Sequence, residues 1–489
     1  MSTASATLKL ARPDLLRMDA FVGGRWTGSG QRFPVTNPAN GAVIADVADM
    51  GVAETRQAID LAAATMPAWA ATPAKARAAI LRRWFDLMMA HQDELAALMT
   101  AEQGKPLAES RGEIAYAASF IEWFAEEGKR AYGDIIPAHV ADQRILVLKQ
   151  PVGVVAAITP WNFPAAMITR KVAPALAAGC GIVVKPAEQT PLSALALAVL
   201  AEEAGLPVGL LSILPTSDAA AMGGEMTANP VVRKLSFTGS TEIGKLLYRQ
   251  SADTVKKLGL ELGGNAPFIV FDDADLDQAV KGAIASKYRN AGQTCVCANR
   301  LYVQAGVHDA FVARLTEAVR ALKVGDGAVA GTDIGPLIDA AAVEKVERHI
   351  ADAVGKGATL VCGGERSTLG GTFFEPTLLT GVTAAMTVAR EETFGPLAPV
   401  FRFEDESGVI AQANDTRFGL AAYFYARDLK RVWRVAEALE YGIVGINTGI
   451  ISTEVAPFGG VKESGIGREG SRYGIEDYLE IKYLSVGIS

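Results

Sequence analysis

Short apolar runs alternate with helical stretches from Pro151 onward, and this alternation limits the possible folds more than any other feature of the chain. Strand–helix–strand units at this spacing predict a doubly wound parallel sheet. The predicted strands are 152–158, a run ending at Lys185, 211–214 and 234–237, and the predicted helices are an Ala-rich stretch up to Gly179 and 192–205. Ligands of such sheets bind beyond the carboxyl ends of the strands, where the chain continues into 159–164, 185–188 and 238–244.

A second α/β region begins near Glu261. Residues 275–290 carry apolar side chains on one helical face, and Gly292 ends that pattern. Cys295 therefore falls on a loop before the predicted strand 301–304. Two α/β lobes joined near residue 260 are the predicted architecture.

The chain before residue 150 has a different pattern. Residues 52–69 and 73–104 place apolar side chains at helical spacing, so the first part after the N-terminal tail is predicted to be helical. The run R-I-L-V-L-K at 144–149 is typical of a strand.

Composition narrows the class of protein. A chain of 489 residues exceeds what one hydrophobic core usually serves, so two or three domains are expected. The net charge of −7 and the absence of a basic stripe argue against a nucleic-acid partner. No apolar run approaches the roughly 20 residues of a membrane span. Four cysteines in so long a chain do not indicate a disulfide framework, which favours a reducing, cytoplasmic location.

The first residues, M-S-T-A-S-A-T-L-K-L-A-R-P, lack the apolar core of a secretory signal. Their content of Ser, Thr and Ala is also found in transit peptides, but the stretch is short. A disordered tail is the prediction for this segment.

The Gly-rich segment F-T-G-S-T-E-I-G-K at 237–245 follows a predicted strand and opens a helix. Free backbone N–H groups at such a helix start attract phosphate, and Ser240 could cap the helix. The segment matches neither the G-x-G-x-x-G fingerprint nor a P-loop. A simple helix cap and a phosphate site both remain possible on these residues alone.

Two of the four cysteines, Cys295 and Cys297, lie in R-N-A-G-Q-T-C-V-C-A-N-R at 289–300. A zinc site would need further ligands nearby, and no histidine stands at metal-ligand spacing, so no metal is expected. A Cys–His hydrolase lacks a recognisable base, whereas buried packing is the usual role of a lone cysteine. The Gly-containing polar loop after a helix weakens the case for buried packing, because loops often carry function, but does not decide the role of these cysteines.

A thiol nucleophile that forms an acyl intermediate needs a base for water and donors for an oxyanion. Glu261 in L-E-L-G-G-N, Asn162 in T-P-W-N-F-P and the carboxylates of R-E-E-T-F-G-P are candidates. Each also has an ordinary structural explanation, as a solvated carboxylate, a turn residue or a charged loop. Spacing alone does not assemble them into one site.

Seven motifs taken together are more specific. They stand in order between residues 159 and 469: T-P-W-N-F-P, V-V-K-P-A-E-Q-T-P, F-T-G-S-T-E-I-G, L-E-L-G-G-N-A-P, G-Q-T-C, E-E-T-F-G-P and P-F-G-G-V-K-E-S-G-I-G-R-E. With them the chain closely resembles the NAD(P)-dependent aldehyde dehydrogenase superfamily. The resemblance implies two doubly wound α/β lobes, one an NAD(P)-binding Rossmann-like lobe and one catalytic, plus a small β oligomerisation arm.

The resemblance also implies a division of the chain into segments. Residues 1–127 and 150–260 would form the NAD(P)-binding domain, 128–149 the arm, 261–455 the catalytic domain, and 456–489 a return to the NAD(P) domain and an oligomerisation tail. Because 128–150 and 473–489 resemble the family's arm, a homo-oligomer is expected, either a dimer or a tetramer.

The family's mechanism implies roles for particular residues. Cys295 would attack the aldehyde, Asn162 and the Cys295 backbone N–H would hold the oxyanion, and Glu261 would activate water to hydrolyse a thioester. The presence of Glu261 favours release of a free acid over transfer to coenzyme A. Lys171 and Glu469 stand where the family has auxiliary proton-relay residues, and a surface ion pair is the alternative.

The resemblance assigns the cofactor contacts as well. Lys185 and Glu188 would bind the adenosine ribose, and a carboxylate there favours NAD over NADP without excluding NADP. The other predicted contacts are Trp161 and Ser240 at the diphosphate, Glu392 and Phe394 at the nicotinamide ribose, and Thr159, Phe237 and Gly239 nearby.

The segments around Arg170, Arg289 and Ser452 resemble the succinate-semialdehyde dehydrogenase branch in particular, whose members act in GABA degradation. In that branch these three side chains would bind the distal carboxylate of the substrate. Glutarate semialdehyde and a broader aldehyde range are the alternatives, because one methylene changes binding by only about 1–3 kcal/mol. A catalytically inactive member kept for binding is a further alternative. In some members the second cysteine, here Cys297, forms a reversible disulfide with the nucleophile.

Overall fold

The fold consists of two mainly parallel β-sheets with helices on their faces, a separate three-stranded arm and a two-stranded antiparallel sheet near the N-terminus. The computed structural model describes residues 10–488, so the first nine residues of the predicted N-terminal tail lie outside the described part of the chain. The predicted fold class, two doubly wound α/β lobes with a small β arm, is confirmed.

The strands are β1 (Ala20–Val22), β2 (Arg25–Thr27), β3 (Arg32–Thr36), β4 (Val43–Ala48), β5 (Asp134–Ile136), β6 (Gln143–Pro151), β7 (Val154–Ile158), β8 (Ile182–Lys185), β9 (Leu211–Ile213), β10 (Val232–Thr238), β11 (Lys257–Glu261), β12 (Ala266–Val270), β13 (Ala298–Gln304), β14 (Thr359–Cys362), β15 (Thr377–Thr380), β16 (Leu397–Phe403), β17 (Ala421–Tyr425), β18 (Ile443–Ile446), β19 (Gly465–Ile466) and β20 (Leu479–Gly487). The helices are α1 (Val52–Ala71), α2 (Ala74–Ala90), α3 (Gln92–Gln103), α4 (Leu107–Glu127), α5 (Ala166–Ala178), α6 (Pro191–Glu203), α7 (Ala219–Ala228), α8 (Thr241–Gln250), α9 (Leu276–Lys287), α10 (His308–Arg320), α11 (Ala340–Gly355), α12 (Glu406–Asn414), α13 (Leu429–Ala438) and α14 (Tyr473–Glu476).

The first sheet contains five parallel strands in the order β11-β10-β7-β8-β9, with antiparallel strands at its two edges. Among these five parallel strands, the central strand β7 comes first in the chain. β8 and β9 follow on one side of it, and β10 and β11 are then added on the other side. Segments that follow neighbouring strands β7 and β10 at this reversal of strand order therefore lie side by side at the carboxyl edge.

The second sheet places six parallel strands in the order β15-β16-β13-β12-β17-β18, and β14 joins one edge in the antiparallel direction. Its strands β12 and β17 are buried at every residue, as expected where helices cover both faces of a parallel sheet. The central strand β13 begins at Ala298, directly after the loop that carries the two neighbouring cysteines.

The arm is a small antiparallel sheet in the order β20-β6-β5. β20 pairs with β6 over nine residue pairs, from Leu479–Pro151 to Gly487–Gln143. Ile135, Ile481 and Tyr483 leave large apolar side chains exposed on these strands. The predicted role of this arm in a dimer or tetramer stays a prediction.

The prediction that the first part of the chain is helical was wrong between residues 20 and 48, where four short strands form. β1 and β2 are joined by Gly23 and Gly24, which have φ angles of 52° and 85°. Two residues with positive φ form the tight hairpin turn that suits the twist of paired strands. The G-G pair between F-V and R-W carried this signal in the sequence.

Two further differences concern the helices. The predicted helical stretch 73–104 is two helices, α2 and α3, which meet at His91. The long helix α4 lies outside the predicted stretches, and a side chain at its Gly112 would meet open space, so packing does not require a glycine there.

The predicted domain boundaries stay a prediction, although the sheets change close to one of them. β11 ends at Glu261 in the first sheet, and β12 begins at Ala266 in the second. Among residues 10–488, no helix is both long enough and apolar enough to cross a membrane.

Candidate active site

A cavity of about 630 Å³ is lined by segments that follow strands of both sheets. It brings together residues predicted separately for catalysis, cofactor binding and substrate binding. Those that line it are Trp161, Asn162, Arg170, Gly239, Ser240, Glu261, Arg289, Cys295, Glu392, Phe394 and Ser452. The cavity is therefore the place where the predicted chemistry can be examined.

The remaining predicted residues lie outside this lining. Thr159, Lys185 and Glu188 stand at the carboxyl ends of β7 and β8, while Phe237 belongs to β10. The other three, Lys171, Glu469 and Cys297, lie behind the cavity wall and are buried.

The loop that presents Cys295 begins with three residues in the left-handed backbone region. Asn290, Ala291 and Gly292 have φ angles of 51°, 54° and 76°. Such backbone is costly for Asn and Ala and persists where surrounding contacts enforce it, as at functional sites. A side chain at Gly292 would place its Cβ 2.2 Å from the Gly395 carbonyl oxygen, so only glycine fits there.

Two other segments contact this nucleophile loop. The Asn162 side chain donates through Nδ2 to the Gln293 carbonyl oxygen at 3.0 Å. A Cβ on Gly264 would lie 2.4 Å from the Cys295 carbonyl oxygen, which explains a glycine in L-E-L-G-G-N by close backbone approach. The motifs around residues 162, 264 and 295 thus meet at one point.

The Cys295 thiol is strongly perturbed. Burial raises its pKa to about 12, the Glu392 carboxylate adds to the rise, and the Arg170 guanidinium opposes it. The thiol is therefore protonated in the protein alone at neutral pH. Since the thiolate is the nucleophile, reaction requires removal of this proton or additional positive charge beside the sulfur.

Glu261 is the last residue of β11 and is 4% exposed. Its Oε2 atom is buried without a hydrogen-bond partner. Burial raises its pKa well above the ordinary value for a carboxyl group, and the charge of Glu469 raises it further. A carboxylate with a raised pKa and a free oxygen in a cavity is suited to act as a general base.

Glu469 is held behind Glu261 by two cations. Its Oε1 atom lies 2.5 Å from Lys171 Nζ, and its Oε2 atom lies 2.8 Å from Arg170 Nε. Burial disfavours its ionisation, but the charges of Lys171 and Arg170 outweigh that effect and lower its pKa. Lys171 is 0% and Glu469 8% exposed, so the alternative of a surface ion pair is wrong.

Two arginines approach the cavity from different sides. Arg170 lies over the Phe458 ring at 4.0 Å, and its Nη2 atom is buried without a hydrogen-bond partner. The Arg289 guanidinium lies 5.4 Å from the Phe163 ring centre. Ser452 lines the same cavity. The three side chains predicted to bind a carboxylate are thus brought to the cavity that contains Cys295.

The side of the cavity predicted for the cofactor has features that suit a dinucleotide. Ser240 caps α8 by accepting a hydrogen bond from the Ile243 N–H at 3.3 Å, and it also lines the cavity, so the start of a helix lies at the cavity wall. Lys185 and Glu188 form a pair at 3.1 Å, and Glu188 remains 44% exposed and available to a ligand.

The opposite end of this region holds Glu392 and Phe394. Glu392 accepts a hydrogen bond from the Gly264 N–H at 3.0 Å, and burial raises its pKa to about 7. Phe394 has a φ of 57° and packs edge-on against Trp161, with ring centres 5.6 Å apart. These residues fit a cofactor with a phosphate near a helix start and a ribose near each carboxylate.

Sequence reasoning missed the polar residues that α4 and the turn before it contribute to the cavity. They are Lys105, Glu109, Glu113 and Tyr116, and they line the wall below Asn162. Glu109, Glu113 and Tyr116 are spaced by four and three residues, which puts them on one face of α4. Lys105 precedes Glu109 by four residues in the turn, and this spacing was visible in the sequence. Burial raises the pKa of Glu109 to about 6.

Cys297 is 6% exposed, and its thiol donates to the Lys287 carbonyl oxygen at 3.3 Å. Both Cys295 and Cys297 are free thiols, and the redox switch stays a prediction. Among the residues that the structure describes, no three His, Cys, Asp or Glu side chains are grouped so that they could hold a metal ion.

Comparison with known proteins identifies the family to which the chain belongs. The family model described as "Aldehyde dehydrogenase family" matches residues 26–484. The chain belongs to the aldehyde dehydrogenase family. It is 67% identical to the succinate-semialdehyde dehydrogenase [NADP(+)] GabD of Escherichia coli strain K12, over 98% of this chain and 100% of the relative. It is 66% identical to a glutarate-semialdehyde dehydrogenase of Pseudomonas aeruginosa, with the same coverage of both chains.

Solved structures agree with this aldehyde dehydrogenase assignment. A crystal structure described as an Escherichia coli NADP-dependent enzyme superposes with a TM-score of 0.97 at 67% identity, covering 98% of this chain and 100% of that one. The predicted family, its succinate-semialdehyde branch and the assignment as an enzyme are confirmed. The alternative of a five-carbon substrate also has a relative at nearly equal identity.

Proposed function

We propose that this aldehyde dehydrogenase oxidises succinate semialdehyde to succinate with NAD or NADP. The observation that carries the proposal is a pair of arginines, Arg170 and Arg289, on the wall of the cavity that contains Cys295. Guanidinium groups bind carboxylates through paired hydrogen bonds, and the unpartnered Nη2 of Arg170 leaves a buried donor for such a ligand. An aldehyde with a carboxylate at its far end satisfies that donor.

The first chemical step belongs to Cys295. Its thiol first loses its proton to solvent, and the thiolate then attacks the aldehyde carbon and forms a thiohemiacetal, whose oxygen carries the developing negative charge. Asn162 Nδ2 and the Cys295 backbone N–H donate to this oxyanion, each contributing about 3 kcal/mol to transition-state stabilisation. The hydrogen bond from Asn162 to the Gln293 carbonyl uses one amide hydrogen and leaves the other for the oxyanion.

The second half of the reaction belongs to Glu261. A bound nicotinamide cofactor, held by Glu392 and Phe394, would supply the acceptor for the hydride that leaves the former aldehyde carbon, and Cys295 would then carry a thioester. Glu261 removes a proton from water, which attacks the thioester and releases the acid. The raised pKa of Glu261 makes it a stronger base than an ordinary carboxylate. Lys171 and Glu469, which contact each other behind Glu261, are the proposed relay for this proton.

We propose that the Glu188 carboxylate favours NAD. NADP would bind when the half-exposed Glu188 side chain turns away. The variant Glu188→Ala is expected to raise kcat/KM for NADP by about tenfold, because a carboxylate near the 2′-phosphate costs one to a few kcal/mol. The same variant loses an acceptor for the free 2′-hydroxyl, so kcat/KM for NAD falls. Initial rates with each cofactor at a fixed aldehyde concentration measure both changes. An unchanged NADP to NAD ratio would contradict the role of Glu188.

Glutarate semialdehyde is the second candidate substrate, since it has the same charge and one more methylene. A hydrophobic pocket discriminates one methylene by only about 1–3 kcal/mol, and a relative with 66% identity is named for that compound. The carboxylate contacts would be shared by both substrates.

The test of the proposal is a panel of succinate semialdehyde, glutarate semialdehyde and the uncharged butanal, assayed with parent and Arg289→Met enzymes. Loss of one partner of a buried charge pair costs 2–5 kcal/mol, so kcat/KM for the better semialdehyde is expected to fall about 100-fold. The value for butanal is expected to change less than about twofold, because it makes no contact through a carboxylate. The parent's ranking of the two semialdehydes decides between four and five carbons.

Arg427→Met serves as the control, because Arg427 is exposed and pairs with Asp275 at 3.1 Å away from the cavity lining. Its kcat/KM values should match those of the parent. Faster turnover of butanal than of either semialdehyde by the parent enzyme would refute the carboxylate contacts and, with them, the proposed substrate.

A further inference from the structure

Lys105 lies in the turn between α3 and α4 and is 2% exposed. Its ammonium group donates to Glu113 Oε2 at 2.5 Å and to the Asn162 backbone carbonyl oxygen at 2.7 Å. The same group lies 4.1 Å from the centre of the Phe163 ring. Two charge-assisted hydrogen bonds and one ring contact therefore direct this cation at the segment that carries Asn162.

Glu113 contacts the other end of that segment. Its Oε1 atom accepts hydrogen bonds from the Ala165 N–H at 3.0 Å and the Ala166 N–H at 3.3 Å, at the start of α5. A negative charge is favourable at a helix start, where backbone N–H groups lack partners. Lys105 and Glu113 thus hold the backbone on both sides of Phe163, from Asn162 to the first turn of α5.

The Asn162 carbonyl oxygen accepts from two donors, Lys105 Nζ and Asn290 Nδ2, the second at 3.0 Å. Its side chain donates to the Gln293 carbonyl oxygen at 3.0 Å. With the peptide plane and one side-chain hydrogen bond both held, the direction of the remaining Asn162 amide hydrogen has little freedom. An oxyanion donor stabilises the transition state only when it lies about 2.7–3.1 Å from the place where the charge develops.

The turn around Lys105 also contacts the nucleophile loop. Gln103 Nε2 donates to Asn290 Oδ1 at 3.0 Å, and Gln103 Oε1 accepts from the Lys105 N–H at 3.0 Å. Asn290 is one of the residues with positive φ that precede Cys295. One short segment of the chain therefore contacts both the backbone of the oxyanion donor Asn162 and the Asn290 side chain of the nucleophile loop.

We infer that Lys105 and Glu113 form a positioning pair that orients the Asn162 amide toward the oxyanion. Lys105 binds the Asn162 backbone carbonyl, and Glu113 binds Lys105 and the start of α5. This inference rests on the oxyanion role of Asn162 in the proposed function. A fully buried ion pair is a weak source of stability, because desolvation of the two charges offsets their attraction. The contacts of the Lys105–Glu113 pair instead restrict the direction in which the Asn162 amide donates. Lys105 and Glu113 act through Asn162 and not on the aldehyde itself.

The experiment is a double-mutant cycle between Lys105→Met and Asn162→Ala, with the rate constant of first NADH formation measured by stopped flow. In the parent background Lys105→Met is expected to lower this rate about 30-fold, since displacement of a catalytic group by roughly 1 Å can cost 100-fold. In the Asn162→Ala background the same change is expected to cost less than about twofold, because the donor it positions is gone. Equal losses in both backgrounds would overturn the positioning role.

The outcome for Asn162→Ala alone separates this inference from the proposed function. A rate unchanged by Asn162→Ala refutes the oxyanion role itself and the positioning role with it. If Asn162→Ala strongly lowers the rate of first NADH formation, and Lys105→Met lowers it equally in both backgrounds, only the positioning role is refuted.

The double variant Lys105→Met/Glu113→Gln removes both buried charges and provides a second, independent form of the test. Because no unpaired charge remains buried, this variant is expected to fold. It should lower the rate of first NADH formation in the parent background but change it little in the Asn162→Ala background. A rate equal to that of the parent in this folded variant would overturn the proposal. Glu102→Gln is the matched control, since Glu102 is a buried carboxylate of α3 that accepts from the Leu192 and Ser193 N–H groups. It is expected to lower Tm and leave the rate of NADH formation unchanged.

Discussion

Replacing Cys295 with alanine is expected to lower kcat for semialdehyde oxidation by at least about 10⁴-fold, because loss of a covalent nucleophile removes the whole acyl pathway. No other cysteine lines the cavity among the described residues, and the thiol of Cys297 is directed at the Lys287 carbonyl. The measurement is steady-state NADH formation at saturating aldehyde and cofactor. The cofactor dissociation constant should change little, since the binding residues are untouched.

Cys297→Ala is the matched control, because it removes a buried thiol two residues away on the same loop. Its kcat is expected to stay within about twofold of the parent value. The same variant tests the redox hypothesis: dithiothreitol should restore the parent enzyme after peroxide treatment, and the variant should lose that recovery. Comparable loss of kcat in both alanine variants would contradict the assignment of Cys295 as the only nucleophile.

Replacing Glu261 with glutamine is expected to separate the two halves of the reaction. Steady-state kcat should fall by about 10³-fold, as is typical when a general base is lost, while one equivalent of NADH per active site still forms rapidly. The enzyme then accumulates as a thioester, which intact-mass measurement should detect as one added acyl group. A variant with no rapid first turnover would contradict the separate role of Glu261 in hydrolysis.

The pH dependence of the parent enzyme follows from the same residue. Burial and the charge of Glu469 raise the pKa of Glu261, and a general base works only when deprotonated. Hydrolysis of the thioester is therefore expected to slow as the pH falls through this raised pKa and to reach a plateau above it. In Glu261→Gln the rate of the residual hydrolysis should not show this decrease at low pH. Single-turnover release of acid, measured between pH 5 and 9, tests this expectation.

The candidate residues that line the cavity with Cys295 could be named from the sequence because each lies in a motif that resembles the aldehyde dehydrogenase family, whereas spacing alone did not assemble them. Their catalytic roles stay predictions. Cys295, Glu261 and Asn162 follow strand or helix ends, where a parallel α/β fold brings segments together. Residues whose role depends on pairing across the chain could not be found in this way. Lys105 contacts Asn162 from 57 positions away, and nothing in the local pattern of either residue indicates the other.

Burial explains the remaining differences between prediction and structure. Lys171 and Glu469 could be a surface ion pair or a buried one by sequence alone, because charged residues carry no signal of depth until the packing is known. The structure also shows Arg170 sharing Glu469 with Lys171, so a predicted substrate residue and a predicted relay residue belong to one cluster. Most of the short strands β1–β4 escaped prediction because charged residues or proline interrupt their apolar runs, as in R-W-T of β2 and R-F-P-V-T of β3, whereas β8 contains the continuous run I-V-V.

The hydrogen bond between Gln103 and Asn290 joins residues 187 positions apart, and it has a consequence for how the chain acquires activity. The two lobes each have a hydrophobic core, and the loop before Cys295 is held in part by this contact with α3 of the other lobe. Domains of a large protein generally fold as units, so contacts between the two lobes form when the lobes dock. During refolding, native-like helix content is therefore expected to return before the first enzymatic turnover, so that catalysis itself reports the final assembly step.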